Sequence, residues 1–523
     1  MYPLLVLIYL AACQGGSTEI GGKPTAPDDT DLTPSDTGTP GLTTDPPTVS
    51  GDCLVDPALS VVSATPVAGL LPTLVEVTVE LSVPASVAVQ CTSDLDLAEV
   101  FFAEDLTVSA SHAVRLSGLL PGTSYSCSAA PTCPTQAGPA TAFAYATANP
   151  PGVLERLTIE IDPVLGMGGA WTLAPFTTSP FGGDTWLVAW GPDGSARWWW
   201  PAPDGVGMWV ELLWYPSEGE FVWGGGMDPQ GRVRIVNLWE GETYAFAPVG
   251  WQDTEFHHDG KRLADGRLMT LEIRENTRGN DSWDGFGLRV HDPATGTVDF
   301  DYNSQRLVDD GVLPPGGGGF GGDDPWHANW TDFVETPTGP EAYVSLCFER
   351  QILAIDGDNG DLLWQLGRNL GWTILDAAGL PMSEDALPQC QHGLEVVNGT
   401  VLVYDNGQDR PRSSASEWVV DPLARTAQQI WYWSEPGWQE DYIGDIDWLP
   451  NDRVLITEAT QMGESQIVEV DRATGLVASR ATMADGGYTY RAERYDGCAM
   501  FTSAKACPTL AARHAEVAPL LAP

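Results

Sequence analysis

Lysine is almost missing from this chain: Lys23, Lys261 and Lys505 are the only three in 523 residues. Charged residues of both signs make up just 18%, and histidine occurs seven times. No apolar stretch approaches the roughly 20 residues that a membrane-spanning helix needs. No two cysteines have the Cys-x-x-Cys spacing of a zinc site or a redox motif. Sustained helical periodicity is missing too. The scarcity of lysine leaves a formal charge of −46. An acidic surface of that size repels phosphate backbones and anionic headgroups, which argues against nucleic acid and anionic lipid as partners. Any anionic substrate must be held by a local group of arginine or histidine working against the overall field. Each basic residue in a motif is therefore unusually informative. Tryptophan, by contrast, is abundant at 21 residues, with glycine at 57 and proline at 41. Such a chain is globular and long enough for more than one domain.

The N-terminus reads MYPLLVLIYLAACQGG. Its short apolar run ends in Leu10-Ala11-Ala12-Cys13 and resembles a bacterial lipoprotein signal with its lipobox. The resemblance implies removal of residues 1–12 and acylation of Cys13. It thereby implies a lipid-anchored protein of the bacterial cell envelope, on the periplasmic side of the outer membrane or at the cell surface. A buried apolar segment is the alternative. Residues 13–52, with TAPDDTDLTPSDTGTPGLTTDPPT, cannot offset their chain entropy by burial and are expected to be a disordered tether. After Cys13 come Cys53, Cys91, Cys127, Cys133, Cys347, Cys390, Cys498 and Cys507. An even number suits disulfides in an exported protein, and Cys498 and Cys507 are close enough to close a small loop. From 53 to 149, alternating segments such as VEVTVELSV and FAYATA read as strands. Within them, LSGLLPGTSY (Leu116 to Tyr125) resembles the signature of a fibronectin type III domain. That implies a β-sandwich, with a spacer or docking role, whose turn lies at Pro121-Gly122.

From 150 to 523 the chain turns to Trp-rich strands separated by glycine turns. Units of roughly 40 residues recur, the length of a four-stranded propeller blade. WLVAWGPDGSARWWW marks the first, ELLWYPSEGEFVWGGG the second and HHDGKRLADGRLMTLEI the third. HANWTDFVETPTGPEAYVSL opens the fourth, QHGLEVVNGTVLVYDNG the fifth and GDIDWLPNDRVLITEA the sixth. The late YTYRAERY is expected to return as a closing strand. The fold class expected is all-β, a small β-sandwich followed by a six-bladed β-propeller, with five or seven blades as alternatives.

Units three, four and five share a histidine just before a turn and a second, more apolar strand. FHHD (His257, His258) precedes LADGRLMTLE, WHAN (His327) precedes EAYVSLCFER, and QHG (His392) precedes VNGTVLVYDNG. Innermost strands of successive blades start at one end of the central channel, so equivalent positions converge on the axis. Four of the seven histidines share this place or its neighbour. A lone histidine at a strand start is ordinarily a surface residue; three in register are a site. Converging imidazoles are also natural zinc or copper ligands, although no carboxylate or thiolate recurs at that position. DGDNGD (356–361) lacks the spacing of an EF-hand and reads as a hairpin turn. The glycine run 314–324 lacks the Gly-Lys-Ser/Thr end of a phosphate loop and reads as a flap beside His327, or a linker.

FHHD with LADGRL, WHANW, SLCFERQILAIDGDNGDLLWQLG, QHGLEVVNGTVLVYDNG and YRAERY, in this order, resemble the bacterial arylsulfotransferases that work without a nucleotide sulfate donor. The similarity covers about residues 250 to 500. It implies a six-bladed propeller with no cofactor and no metal, acting on an aryl sulfate donor and a phenolic acceptor. It also implies ping-pong transfer through a sulfohistidine. His392 falls at the nucleophile's position. His327, Arg350 and the His257-His258 pair, His258 above all, fall at sulfate-binding positions. CFER stands where a Ser-Ser-Arg run is common, and the fourth unit carries the insert ETPTGPE. The residues suit the chemistry: a neutral imidazole is a good nucleophile, Arg350 can meet charge on the sulfuryl oxygens, and His258 or His327 can move the proton. Two other readings stay open. One is a ligand-binding propeller lipoprotein without catalysis. The other is a metal- or quinone-dependent propeller enzyme, which AIDGDNGDLLWQLG alone would suggest. A homodimer is a further option.

Overall fold

The computed structural model describes residues 59–522 apart from 70, 133–139, 168–170, 178–183, 203–210, 216–219, 225–232, 247–255, 264, 293–294, 317–323, 398, 459–463, 485–486 and 496. The lipoprotein signal with Cys13, the tether, Cys53, Cys133 and the centre of the glycine run lie outside the described residues. The described residues fall into two compact units, those from 150 to 495 in the larger and those from 59 to 149 with 497 to 522 in the smaller.

The smaller unit is built on one 20-residue strand, Leu74–Ser93. Period-two alternation sends Val75, Val77, Val79, Val87 and Val89 into one core with Phe101, Leu116 and Tyr125. Register shifts between Glu80, Ala85 and Val87 mark a bulge that bends the strand. Its first half pairs with Val61–Ala68 and its second with Ser124–Pro131, while Val100–Ser117 runs along the other side. Thr141–Ala146 completes a single five-stranded antiparallel sheet. The Leu120 N–H donates to Tyr125 Oη at 2.6 Å, the tie of a tyrosine corner. Cys91 and Cys127 are bridged across two adjacent strands. Residues 497–523, read above as the end of the propeller, pack in this unit instead. There the helix Pro508–Leu521 lays Val517 and Leu521 on Ala88, Phe102 and Ala130. The Cys498–Cys507 bridge expected from its spacing precedes that helix.

The larger unit holds six sheets among the described residues, one for each repeat read from sequence, antiparallel except where Thr373–Leu375 adds to blade five in parallel with Thr426–Trp433. Blades two to six begin with the innermost strands Glu211–Tyr215, Phe256–Arg262, Ala328–Thr336, Gln391–Val397 and Asp445–Leu449. Each lies beside the next. Blade one is completed from the far end of the chain. Glu493–Tyr495, the tail of YTYRAERY, pairs with Trp171–Leu173 as its innermost strand. A second closure was not legible: Leu157–Ile161 pairs with Val477–Met483 as the outermost strand of blade six. Five alternating residues, LTIEI, carry no mark of a partner more than three hundred positions away.

Apolar side chains fill the wedges between blades. Trp330, Tyr343, Ile352, Leu394, Val401 and Trp418 make one cluster between blades four and five. Tyr404, Trp438, Ile446 and Ile456 make the next, between five and six. Near the axis the packing is tighter still. A Cβ on Gly393 would lie 2.7 Å from Ile446 N and 2.9 Å from Asp445 Cα. Backbone atoms cannot swing aside as a side-chain tip can. Gly393→Ala is therefore expected to cost roughly 1–3 kcal/mol of stability, the usual range for overpacking. Gly152→Ala, which would meet nothing within 4 Å, is the control. Urea unfolding followed by tryptophan fluorescence should give a lower midpoint for the first substitution alone; equal midpoints would disprove so close an approach of blades five and six.

Candidate active site

The inner strands of blades three, four and five each carry a register slip at the same place, by two residues in blade three and by one in the others. Register slips occur between Phe256 and Gly260, between Ala328 and Trp330, and between Gln391 and Gly393. His258 and His392 lie within two of these slips and His327 just before the third. Bulges re-aim side chains, and these turn imidazoles from three neighbouring blades toward one another. His258 and His327 have φ of 61° and 49°, and Cys390 has 52°. Such left-handed backbone is uncommon outside glycine and is held here by the surrounding strands.

The four predicted histidines meet. His257 and His258 stack with ring centroids 4.0 Å apart. His258 Nε2 lies 3.0 Å from His327 Nε2, and the His327 and His392 rings are centred 6.4 Å apart. Asp324, which sequence reasoning passed over, supports the group. Its Oδ2 accepts from His327 Nδ1–H at 2.7 Å and its Oδ1 from the His327 amide at 3.0 Å. A carboxylate on Nδ1 leaves His327 Nε2 as an acceptor, so the proton between the two Nε2 atoms belongs to His258. The only signal for Asp324 was its place three residues before His327, beside the glycine run.

Burial sets the charge of the group. It pushes His392 down to about 3, helped by His327 and by the positive charge of Arg491. His257 is pushed down to about 4 by burial, with Asp324 pulling the other way. Burial and its neighbours hold His258 well below the ordinary value. Burial alone would raise Asp324, but the contacts with His327 bring its carboxyl below the usual range. All three shifted imidazoles are therefore neutral at pH 7.

Arg350 sits at the rim, with φ of 56° and its guanidinium paired to Asp409. It does not hydrogen-bond to the histidines. The guanidinium deepest in the group is Arg491, which had been read only as part of the closing segment. Its Nη1 donates to Asp259 Oδ1 at 2.6 Å, and its Nε lies 3.8 Å from Asp445. A buried arginine in so base-poor a chain was the signal available. The disulfide Cys347–Cys390 joins the segments that carry Arg350 and His392. Spacing could not reveal that pairing. Phe348, the residue of CFER where serine is common, stacks on His327 at 4.8 Å and gives the group an aromatic wall.

His257, His258 and His327 bring nitrogen atoms within 4.8 Å of one another, the arrangement of a metal site. The Asp324–His327–His258 chain links two of these three rings through protons. Asp445, Asp447 and Glu493 form a second cluster farther along the inner strands.

Residues 183–491 match the family model described as Arylsulfotransferase (ASST). No curated protein matches the chain. Solved structures that resemble it include the Cps50 (Swd1) β-propeller domain of Myceliophteria thermophila. The two share 9% identity at a TM-score of 0.30, over 59% of this chain and 85% of that one. Another is the major allergen Mala s 1 of Malassezia sympodialis, at 10% identity and a TM-score of 0.32, over 56% and 96%. The family match takes in more than half of the chain and includes His257, His258, His327, Arg350, His392 and Arg491: this protein belongs to the arylsulfotransferase family.

Proposed function

We propose that the protein moves a sulfuryl group from an aryl sulfate to a phenolic acceptor, without a nucleotide donor, through a sulfohistidine at His392. The observation that carries this reading is a buried, neutral His392 beside three further imidazoles, in a chain of this family. Sulfuryl transfer, like phosphoryl transfer, is an in-line displacement whose main demands are positioning and stabilisation of the equatorial oxygens. A neutral imidazole meets the first demand as nucleophile. For the second, His258 offers its Nε2–H, and Arg350 can exchange Asp409 for a sulfuryl oxygen. His327, whose bare Nε2 is set by Asp324 on Nδ1, is the group suited to deprotonate the acceptor, and with that proton on Nε2 it can protonate the next departing phenolate. Phe348 offers a face against which an aryl ring can stack. The donor phenol leaves before the acceptor enters, so the kinetics are ping-pong. The N-terminal signal supports attachment to an envelope membrane through Cys13.

Intact-mass analysis after exposure to 4-nitrophenyl sulfate should show one added sulfuryl group, absent from His392→Ala and unaffected by exhaustive chelation. The three clustered nitrogens give the metal-dependent reading its footing. An adduct lost with EDTA and restored by zinc would favour that reading. Arg350→Ala is expected to raise the barrier by roughly 2.7–4 kcal/mol, the loss from removing one preorganised donor. A folded variant with near-normal kcat would remove Arg350 from the reaction.

The pH profile gives a separate check. His392 must be neutral to attack, and its folded value of about 3 means that it stays neutral as pH falls from 7 to 5. The acid limb of kcat/KM, which reports the free enzyme, should lie well below the ordinary imidazole value. A limb near 6.5 that persists when His327 is replaced would mean that the His392 ring is hydrated and the burial argument wrong.

A further inference from the structure

We propose that Asn406 is a positioning residue that fixes the His392 proton on Nδ1, leaving Nε2 as the atom that takes the sulfuryl group. This rests on the reading of His392 as the nucleophile. Asn406 follows the strand Thr400–Asp405 and is fully buried. Its Oδ1 lies 2.8 Å from His392 Nδ1. Its Nδ2–H donates to the carbonyl of Ile443, in the next blade, at 2.9 Å. That second bond decides which way the amide faces, because a flipped amide would set its oxygen against the Ile443 carbonyl. Only an acceptor is then left for the histidine. The other neighbour of Nδ1, the Cys390 carbonyl at 3.4 Å, is an acceptor as well. A ring nitrogen facing two acceptors carries the proton.

The segment around Asn406 is itself held. Ser413 Oγ–H donates to the Asn406 carbonyl at 3.0 Å, and Asp405 Oδ1 accepts from the amides of Gln389 and Gly407 at 2.7 and 2.9 Å. Gly407 has φ of 66°, and a Cβ there would lie 2.5 Å from the Arg412 carbonyl oxygen. The amide thus meets the ring from a fixed frame.

An amide and a carboxylate would act differently here. In the forward step the Nε2 lone pair forms the N–S bond while the S–O bond to the aryl group breaks, and its electrons leave as phenoxide. The Nδ1 proton stays, so the sulfated ring is an imidazolium. Asn406 Oδ1 stabilises that cation without taking its proton. When the acceptor oxygen attacks sulfur, the N–S electrons return to Nε2. An aspartate would bind the cation more tightly and make it a poorer leaving group. The neutral amide keeps the adduct labile.

Selective 15N labelling resolves the seven histidines, with His392 assigned by His392→Gln. At pH 7 the wild-type His392 should show a protonated Nδ1 and a bare Nε2; the opposite tautomer would overturn the proposal. Asn406→Leu should lower kcat roughly 10- to 100-fold, the usual loss for such a partner, and give a mixed tautomer. Its KM should change little. Asn406→Asp restores the acceptor, so it should keep the Nδ1–H tautomer while moving the acid limb to higher pH. It should also slow resolution of the adduct by a phenol chase. A folded Asn406→Leu with normal kcat and an unchanged tautomer would overturn the proposal. If that variant does not fold, the wild-type tautomer and the aspartate variant decide. An adduct on His392 with the wrong tautomer defeats this inference alone, whereas an adduct on another residue defeats the functional reading beneath it.

Discussion

The buried ion pair between Arg491 and Asp259 is the contact on which the histidine group depends. Asp259 follows His258, and Arg491 stands two residues before the strand that closes the first blade. The other oxygen of Asp259 accepts from the Thr331 amide at 2.7 Å in blade four, and Arg491 reaches toward Asp445 in blade six. One carboxylate and one guanidinium therefore hold blades one, three, four and six around a common axis. Buried pairs of this kind add little net stability over an apolar replacement, but losing one partner commonly costs about 3–5 kcal/mol, because the other charge is left stranded. Placing this pair next to His258 makes closure of the larger unit and assembly of the site the same event.

The pair also shapes the electrostatics. A protein of formal charge −46 would be expected to repel an anionic donor. Burial works against that along the inner strands, where it raises Asp445 to about 6, Glu395 to about 7 and Glu493 to about 8. Glu493 and, in part, Glu395 give up negative charge near neutral pH, whereas Asp445 stays mostly ionised beside Arg491. The same burial keeps His257, His258 and His392 neutral, with help from Arg491 at the last two. An anion entering the group meets N–H donors and a guanidinium, while the charge of Asp324 is engaged by His327. The acidic surface then sets the rate of approach, which salt should modulate, while the buried frame sets the chemistry.

How much of this was legible depends on range. Alternation along VEVTVELSV, the repeated blade units and the histidine at the start of the first strand in units three to five are local patterns, and each led to the right element. His257, His258, His327 and His392 were found because one spacing recurred three times. The Cys347–Cys390 pairing, the Leu157–Ile161 closure and the return of residues 497–523 to the smaller unit are contacts between distant positions. No local pattern encodes them. Asp324 and Asn406 fall between these cases. Both lie within quoted motifs, yet their importance comes from the direction of one hydrogen bond each, which only coordinates reveal. Arg350 shows the reverse: its motif was plain, but its side chain rests on Asp409 at the rim.

The left-handed residues explain why the site lies where it does. His258, His327, Arg350 and Cys390 all have positive φ, and such backbone costs of order 1–3 kcal/mol at each residue. A flexible loop would relax out of it. At the mouth of a propeller, each of these residues lies in or directly before a strand fixed by its own sheet and its neighbours. The strand holds the bend, the bend turns the side chain toward the axis, and repetition in the next blade brings its partner to meet it. A convergent set of imidazoles therefore needs no long loop and no induced closure. It needs a register slip at the same place in three neighbouring blades, and Phe256–Gly260, Ala328–Trp330 and Gln391–Gly393 supply it.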